Sequence, residues 1–269
     1  MMRINSARKK LLEGGIISGP SLLYASPEIA EEAAQYGFDF VVIDWQHGAW
    51  SEATINGALA CFVNVDSVPL VRIPSADPIW VGRMLDLGAL GIIVPVVETA
   101  EQCAAIVRAA KFPPRGGRSA TGLRTAYHAN HDYFEYVKEA NDQILTVVMV
   151  ETPLGVRNAG QMMAIPDIDC VLIGPYDLTL SAGGSWPDDP RVVALVQEVL
   201  TRSKEKGVAA GYYTNDPSEA QMRADQGFRM VFLGHDMAQL PLAFQEMKRC
   251  SALLGAKPTP SNVLHPADS

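Results

Sequence analysis

Eight short apolar runs, each separated from the next by a helix-like stretch, set the repeat from which the rest of this chain is read. They are GIISGPSLL (15–23), FDFVVID (38–44), VPLVRIP (68–74), ALGIIVPVV (89–97), ILTVVMV (144–150), DCVLIG (169–174), VAAGYYT (208–214) and FRMVFLG (228–234). The runs are continuous rather than alternating, as strands covered on both faces are, and parallel strands are of that kind. Between them Ile55, Ala58, Leu59, Phe62 and Val63 share one helical face, as do Ala100, Cys103, Ala104 and Val107, and later Met237, Leu240, Phe244, Met247 and Leu254. Polar caps followed by proline mark helix starts at Ser26-Pro27, Asp77-Pro78, Thr152-Pro153 and Asp216-Pro217. Thr99 with Gln102, and Asp216 with Glu219, have capping-box spacing. Gly37, Gly88, Gly207 and Gly227 mark helix ends.

Eight such units in about 250 residues, with right-handed crossovers, close most naturally into a single-domain α/β fold, the (β/α)8 TIM barrel, over residues 1–254. The alternative is a doubly wound open sheet, which usually carries a glycine-rich turn after its first strand; here that turn reads LLYASP. The segment 111–141 is longer than an ordinary connection, the mark of a lid or a subunit contact, and 255–269 reads as a tail.

With 22 Lys and Arg against 30 Asp and Glu, the chain has a net charge of -8 and would repel nucleic-acid phosphates and anionic lipids. No run approaches the ~18 apolar residues of a membrane span. Nor does the N-terminus have the apolar core and small-residue cleavage site of a signal peptide. Cys61, Cys103, Cys170 and Cys250 form no CxxC pair and read as buried, reduced thiols of a cytoplasmic protein.

Barrel chemistry sits at the C-terminal ends of the strands. Standing there are Asp44-Trp45-Gln46-His47-Gly48, Arg72, Glu98, Glu151, Gly174-Pro175-Tyr176-Asp177 and Gly234-His235-Asp236. Asp44, Glu98 and Asp177 each have the alternative of serving as a helix cap, Glu98 most of all because the Thr99 cap follows it directly. Glu151 precedes its own cap, Thr152, and ends an apolar strand where an unpaired charge is costly. Arg72 interrupts a strand in the same way and is either half of a structural ion pair or an electrophile for an anionic substrate. His128, His131 and His235 read as surface or interface residues, since the spacing HANH is not the i, i+4 zinc pattern. Two carboxylates without His or Cys companions suit Mg2+ or Mn2+ rather than zinc. Such an ion, a histidine base and an arginine together suit chemistry on a 2-oxo acid, with the enolate held by metal and arginine. The loops TNDPS and GHDMAQ lack the glycine-rich amides of a barrel phosphate site, so the substrate is expected to be unphosphorylated.

The ordered motifs FDFVVIDWQHG, VPLVRIP, LDLGALGIIVPVVETAEQ, PPRGGRS, VVMVETPLG, IGPYDLT and FRMVFLG, from about residue 15 to 254, resemble the HpcH/HpaI aldolase family. The resemblance implies a metal-dependent class II pyruvate aldolase that cleaves or forms 4-hydroxy-2-oxo acids with Mg2+, Mn2+ or Co2+. It makes His47 the base, Arg72 the enolate-stabilising residue, and Glu151 and Asp177 the metal ligands. The backbone N–H groups around Tyr176 and Asp177, after Gly174 and Pro175, would receive the substrate carboxylate. Asp44 and Asp86 would hold His47 or raise its basicity, Asp86 from a neighbouring subunit. It further implies a hexamer of two trimers with the last helix exchanged between subunits.

Two departures stand out. Met149 occupies a substrate-contacting position where the family carries glutamine, and WQHG replaces the GEHAP-like context of the histidine in some relatives. A hydroxypyruvate donor and an unusual acceptor aldehyde therefore stay open. Two other readings remain: an acyl-CoA lyase of the citrate-lyase type, its nucleotide held by Lys111, Arg115, Arg118 and Arg124, and a non-catalytic barrel.

Overall fold

A computed structural model describes residues 2–120 and 123–254. Eight parallel strands close in sequence order into a barrel: β1 (Ile17–Leu22), β2 (Phe40–Asp44), β3 (Val68–Arg72), β4 (Gly91–Val94), β5 (Leu145–Val150), β6 (Cys170–Ile173), β7 (Ala209–Tyr212) and β8 (Met230–His235). Seven of the expected runs contain one of them and β8 runs one residue past the eighth, to His235; the open sheet is excluded because β1 pairs with β8. The expected 255–269 tail lies outside the described residues.

The continuous apolar runs divide their residues between two clusters. Phe40, Val42, Leu70, Ile93, Val147, Leu172, Met230 and Phe232 fill the barrel interior. Val41, Ile43, Val71, Ile92, Val148, Val171 and Val231 pack outward against the helices. That is why β2 to β7 do not alternate polar with apolar: both of their faces are dry, whereas β1 and β8 each carry half-buried positions.

The helices are α1 (Ser6–Leu12), α2 (Pro27–Ala34), α3 (Glu52–Ala60), α4 (Pro78–Asp86), α5 (Ala100–Ala110), α6 (Tyr133–Gln143), α7 (Pro153–Met162), α8 (Pro175–Ser181), α9 (Pro190–Lys206), α10 (Ala220–Gln226) and α11 (Asp236–Leu254). Ser26, Asp77 and Thr152 accept first-turn N–H groups as expected. Thr99 and Gln102 form a full capping box. Asp216 and Glu219 do not: Asp216 caps a short 3-10 turn through the Ser218 N–H, and Glu219 accepts the Thr214 hydroxyl instead. The helix-ending glycines 37, 88, 207 and 227 all adopt positive φ, the conformation that a side chain disfavours.

Segment 111–141 holds a 3-10 stretch, Leu123–Ala129, and α6. It connects α5 to β5 and so lies at the N-terminal foot of the barrel, which excludes a lid over the mouth of its own chain. Three of its cations are engaged there. Lys111 is buried and donates to the Asn141 and Ile144 carbonyls, at 2.8 and 2.9 Å. Arg118 pairs with Asp86 at 2.7 Å, and Arg115 with Asp142 and Asp167. Arg124 makes only a 3.4 Å bond to the Asn56 carbonyl and lies over the Tyr127 ring, so among the described residues three of the four cations expected to hold a nucleotide are engaged elsewhere.

His128 is buried rather than on the surface, its Nε2 2.9 Å from the Gly88 carbonyl. Burial pushes its pKa down to about 4, from 6.5. The unfolded chain takes up the proton first, so this residue's contribution to stability is full above 6.5 and is lost as pH falls toward 4. Urea titrations between pH 7 and 4 should show an acid-side loss on the order of 3 kcal/mol that His128→Gln removes; an unchanged profile in the variant would contradict this.

Cys103 and Cys170 are buried as expected, Cys61 is partly buried, and Cys250 is exposed on α11. That helix differs from the rest. Its contacts are with β1 and β8, at its own beginning, and the face carrying Met237, Leu240, Phe244, Met247 and Leu254 is open, with Phe244 58% and Met247 62% exposed. The sequence periodicity is real, but among the described residues nothing in this chain covers the face that it creates.

Candidate active site

The site is assembled by strand register. Asp44 and Arg72 are Cα partners at the ends of β2 and β3, so their side chains stand next to each other. Arg72 makes a bidentate pair with Asp44, Nε to Oδ1 at 2.9 Å and Nη2 to Oδ2. Both are buried. Burial alone would lower the arginine pKa, and the hydrogen bonds and charge of Asp44 more than offset it, so the pKa lies above its ordinary value. The Arg72 guanidinium also lies 5.3 Å from the Tyr213 ring centroid, with Nη1 3.9 Å from Met149 Sδ.

Asp44 is therefore neither a cap nor a ring partner of His47. Its Oδ1 accepts the Gln46 and His47 backbone N–H groups at 3.2 Å, which fixes the loop that carries the imidazole. The same loop turns at Gly48, where a Cβ would come within 2.4 Å of the Asp44 carbonyl. Trp50 Nε1 then ties it to the Leu22 carbonyl at 2.8 Å. His47 itself is exposed and faces the cavity.

Across the mouth, β5 and β6 pair Val150 with Ile173, which brings Glu151 beside Gly174. A side chain there would collide, since a Cβ on Gly174 would lie 2.7 Å from Glu151 Oε1. Glu151 is 2% exposed. Its Oε2 accepts the Val96 N–H at 2.7 Å, and its Oε1 is buried without a partner. Burial pushes its pKa up; the Val96 N–H opposes that, and the neighbouring Asp177 carboxyl raises it further. Val96 holds φ of +52°, an unfavourable conformation for a β-branched residue, at the point where its N–H meets this carboxylate. A buried carboxylate with an orphan oxygen facing a second carboxylate suits a divalent cation, which would neutralise both. No group of three or more His, Cys, Asp and Glu suited to a metal exists among the described residues, so further ligands would be water or substrate.

These residues line one cavity of about 270 Å3: His47, Arg72, Met149, Glu151, Gly174, Pro175, Tyr176 and Asp177, with Leu23, Tyr213, Asn215 and His235. The N-cap of α8 is Gly174, which has no side chain to cap the Tyr176 and Asp177 N–H groups. Sequence reasoning missed Tyr213 and Asn215, which sit in an ordinary-looking strand end and loop. His235, expected at the surface, lines the cavity, and its Nδ1 accepts the Ala238 N–H at 3.1 Å. Glu98 is structural, accepting the Thr152 hydroxyl at 2.5 Å. Asp86 ends α4, at the opposite end of the barrel, and does not meet His47 within one chain.

What such a mouth can do is break a carbon–carbon bond next to a carbonyl, with a base on one side and fixed positive charge for the electrons on the other. Chemistry of that kind on a (β/α)8 barrel is that of a carbon–carbon lyase. Residues 21–241 match the model of the HpcH/HpaI aldolase/citrate lyase family, and the chain belongs to it. It is 36% identical over 239 residues to the 4-hydroxy-2-oxovalerate aldolase of Novosphingobium aromaticivorans, covering 87% of this chain and 89% of that one. It is 33% identical over 241 residues to the hydroxypyruvate/pyruvate aldolase of Roseobacter denitrificans, covering 88% and 93%. A crystal structure of an HpcH/HpaI aldolase/citrate lyase family protein from Burkholderia cenocepacia superposes with a TM-score of 0.85 at 29% identity, over 92% of this chain and 99% of that one. No helix among the described residues is long and apolar enough to cross a membrane.

Proposed function

We propose that the protein catalyses reversible aldol cleavage of a 4-hydroxy-2-oxo acid to pyruvate, or hydroxypyruvate, and an aldehyde. The observation that carries this is the placement of the buried, charged Arg72 across one cavity from the facing Glu151 and Asp177 carboxylates, with His47 at the rim. Glu151 and Asp177 would hold a divalent ion, Mg2+, Mn2+ or Co2+, which when bound supplies Lewis-acid polarisation of the 2-oxo group.

The chain's own residues do the rest. The Tyr176 and Asp177 N–H groups receive the substrate carboxylate, in a mouth where Gly174 and Pro175 leave the backbone approachable. His47 removes the 4-hydroxyl proton. As the C3–C4 bond breaks, its electron pair passes to the pyruvate enolate, whose oxygen accepts a hydrogen bond from Arg72. Met149 leaves the Arg72 Nη1 side without an amide neighbour, the feature that keeps hydroxypyruvate as a second donor. Pyruvate release should be measured across a panel of 4-hydroxy-2-oxo acids with each metal. His47→Ala should lose about 10²–10⁴-fold in turnover while still binding pyruvate. Full turnover by metal-free protein, or by the variant, would overturn the mechanism.

The same reading includes assembly and location. The open apolar face of α11 supports exchange of this helix between subunits of a homo-hexamer, within which Asp86 would reach His47 of a neighbouring copy. Sedimentation should show the wild type well above its 29.1 kDa chain mass, and Leu240→Ser with Phe244→Ser should shift it to smaller species. A monomeric wild type would refute the exchange. Four free cysteines fit a reducing compartment, the cytoplasm.

A further inference from the structure

The mouth holds a second imidazole, His235, which the mechanism above leaves idle. In β8, Met230 and Phe232 point into the barrel and Val231 points out. Continued alternation would send His235 outward with Val231. It does not continue: β1 pairs Gly19 with Phe232 and then Ser21 with His235, so β8 carries one extra residue against β1. The bulge contains Gly234, whose φ of +89° a side chain would disfavour, and a Cβ on it would lie 3.0 Å from the Asn215 carbonyl oxygen. The Gly234 N–H also donates to the Thr214 carbonyl at 3.1 Å, which holds the end of β7, and with it Asn215, against the end of β8. His235 and Asn215 thus line the same cavity of about 270 Å3.

Each has a polar group left for a ligand. His235 Nδ1 accepts the Ala238 N–H, and burial holds the pKa below its ordinary 6.5 against the charges of Asp236 and Asp44, so at neutral pH the single ring proton is on Nε2. No described residue accepts from that Nε2. Asp236 does not, because its carboxylate takes the Leu23 and Tyr24 N–H groups at 2.8 and 3.0 Å, which also ties the end of β1 to that of β8. Asn215 Oδ1 is buried without a partner.

We propose that His235 is a specificity-determining residue for the aldehyde-derived half of the substrate, its Nε2–H and Asn215 Oδ1 together binding a hydroxyl on the carbon next to C4. The inference rests on the aldolase reading above. That reading puts the pyruvyl end on the β5 and β6 side, at Glu151, Asp177 and the α8 N–H groups, and C4 at His47, beyond β2. The group bonded to C4 then meets the remaining wall: Leu23, His235 and Asn215, beyond β1, β8 and β7. A hydroxyl accepts one hydrogen bond and donates another, so it satisfies both groups. A methyl leaves the Asn215 oxygen buried and unpaired, and a carboxylate, which only accepts, would set its charge against that oxygen. In the cleavage the 4-hydroxyl proton goes to His47, C4–O becomes the aldehyde carbonyl, and the C3–C4 electron pair passes to the enolate, which is protonated at C3 to pyruvate. The neighbouring hydroxyl leaves unchanged on the aldehyde.

Pyruvate release from 4,5-dihydroxy-2-oxovalerate and from 4-hydroxy-2-oxovalerate, which differ by that hydroxyl alone, gives the preference as a ratio of kcat/KM. The metal-loaded wild type should favour the dihydroxy compound about twentyfold, as two hydrogen bonds of ordinary net strength would. His235→Asn keeps an acceptor for the Ala238 N–H while deleting the Nε2 donor, and Asn215→Ala deletes the acceptor; each should lower the ratio about fivefold. A purely structural role would slow both substrates alike. A ratio that stays at the wild-type value in either variant, or a wild-type ratio within about twofold of one, overturns the assignment and leaves the aldolase reading standing. Pyruvate from neither substrate overturns the aldolase reading, and the role of His235 falls with it.

Discussion

Replacing Arg72 with methionine should damage folding and turnover together, and adding Asp44→Asn should separate them. The single variant leaves Asp44, which is fully buried, with a charge that its two backbone N–H partners do not neutralise. Breaking a buried pair in this way typically costs about 3–5 kcal/mol. Turnover should fall by a further ~10²–10³, the usual loss when one preorganised donor to a developing oxyanion is removed. In the double variant the orphan charge is gone, so most of the stability should return, while the enolate oxygen still lacks its donor. Urea midpoints and kcat/KM on the same preparations read the two quantities. If the double variant recovers turnover as well as stability, Arg72 serves the fold only.

Glu151→Gln should abolish turnover and yet make the metal-free protein more stable. Burial and the nearby Asp177 hold the Glu151 pKa above its ordinary value. The sign follows from linkage: an acid raised on folding contributes stability below its unfolded pKa and loses it as pH rises through the folded one. At neutral pH the buried charge is thus a cost, made concrete by the partnerless Oε1, and the neutral amide removes it. The cost is the counterpart of metal affinity. Saturating Mg2+, Mn2+ or Co2+, at about 100 times Kd, should stabilise the wild type by ~2.7 kcal/mol, a rise in Tm of roughly 5–10 °C. The Gln variant should start higher and show no such rise. A metal-dependent rise that survives the substitution would remove Glu151 from the ligand set.

Much of the barrel was legible because its signals are local. A continuous apolar run reports two dry faces without reference to any partner, and a proline after a polar cap or a glycine at a turn acts within a few residues. The departures arose where a partner is distant in sequence. Asp44 looked like a cap or a histidine partner because the strand end cannot say that Arg72, 28 positions on, will stand at the same register level. His128 looked like a surface residue until α4 and the 3-10 stretch met around it. The segment 111–141 suggested a lid because length alone does not say at which end of the barrel a connection falls.

The sequence by itself determined the fold class, the strand and helix order, and which polar residues stand at the strand ends, since periodicity and punctuation are properties of contiguous chain. Only the tertiary structure decided which of those residues meet: that Asp44 neutralises Arg72, that Gly174 makes room for Glu151, that Asp86 lies at the far end of the barrel, and that a bulge in β8 turns His235 into the mouth. Barrel closure and register set those distances, and they are fixed by hydrogen bonds between strands tens of residues apart, which no local pattern records.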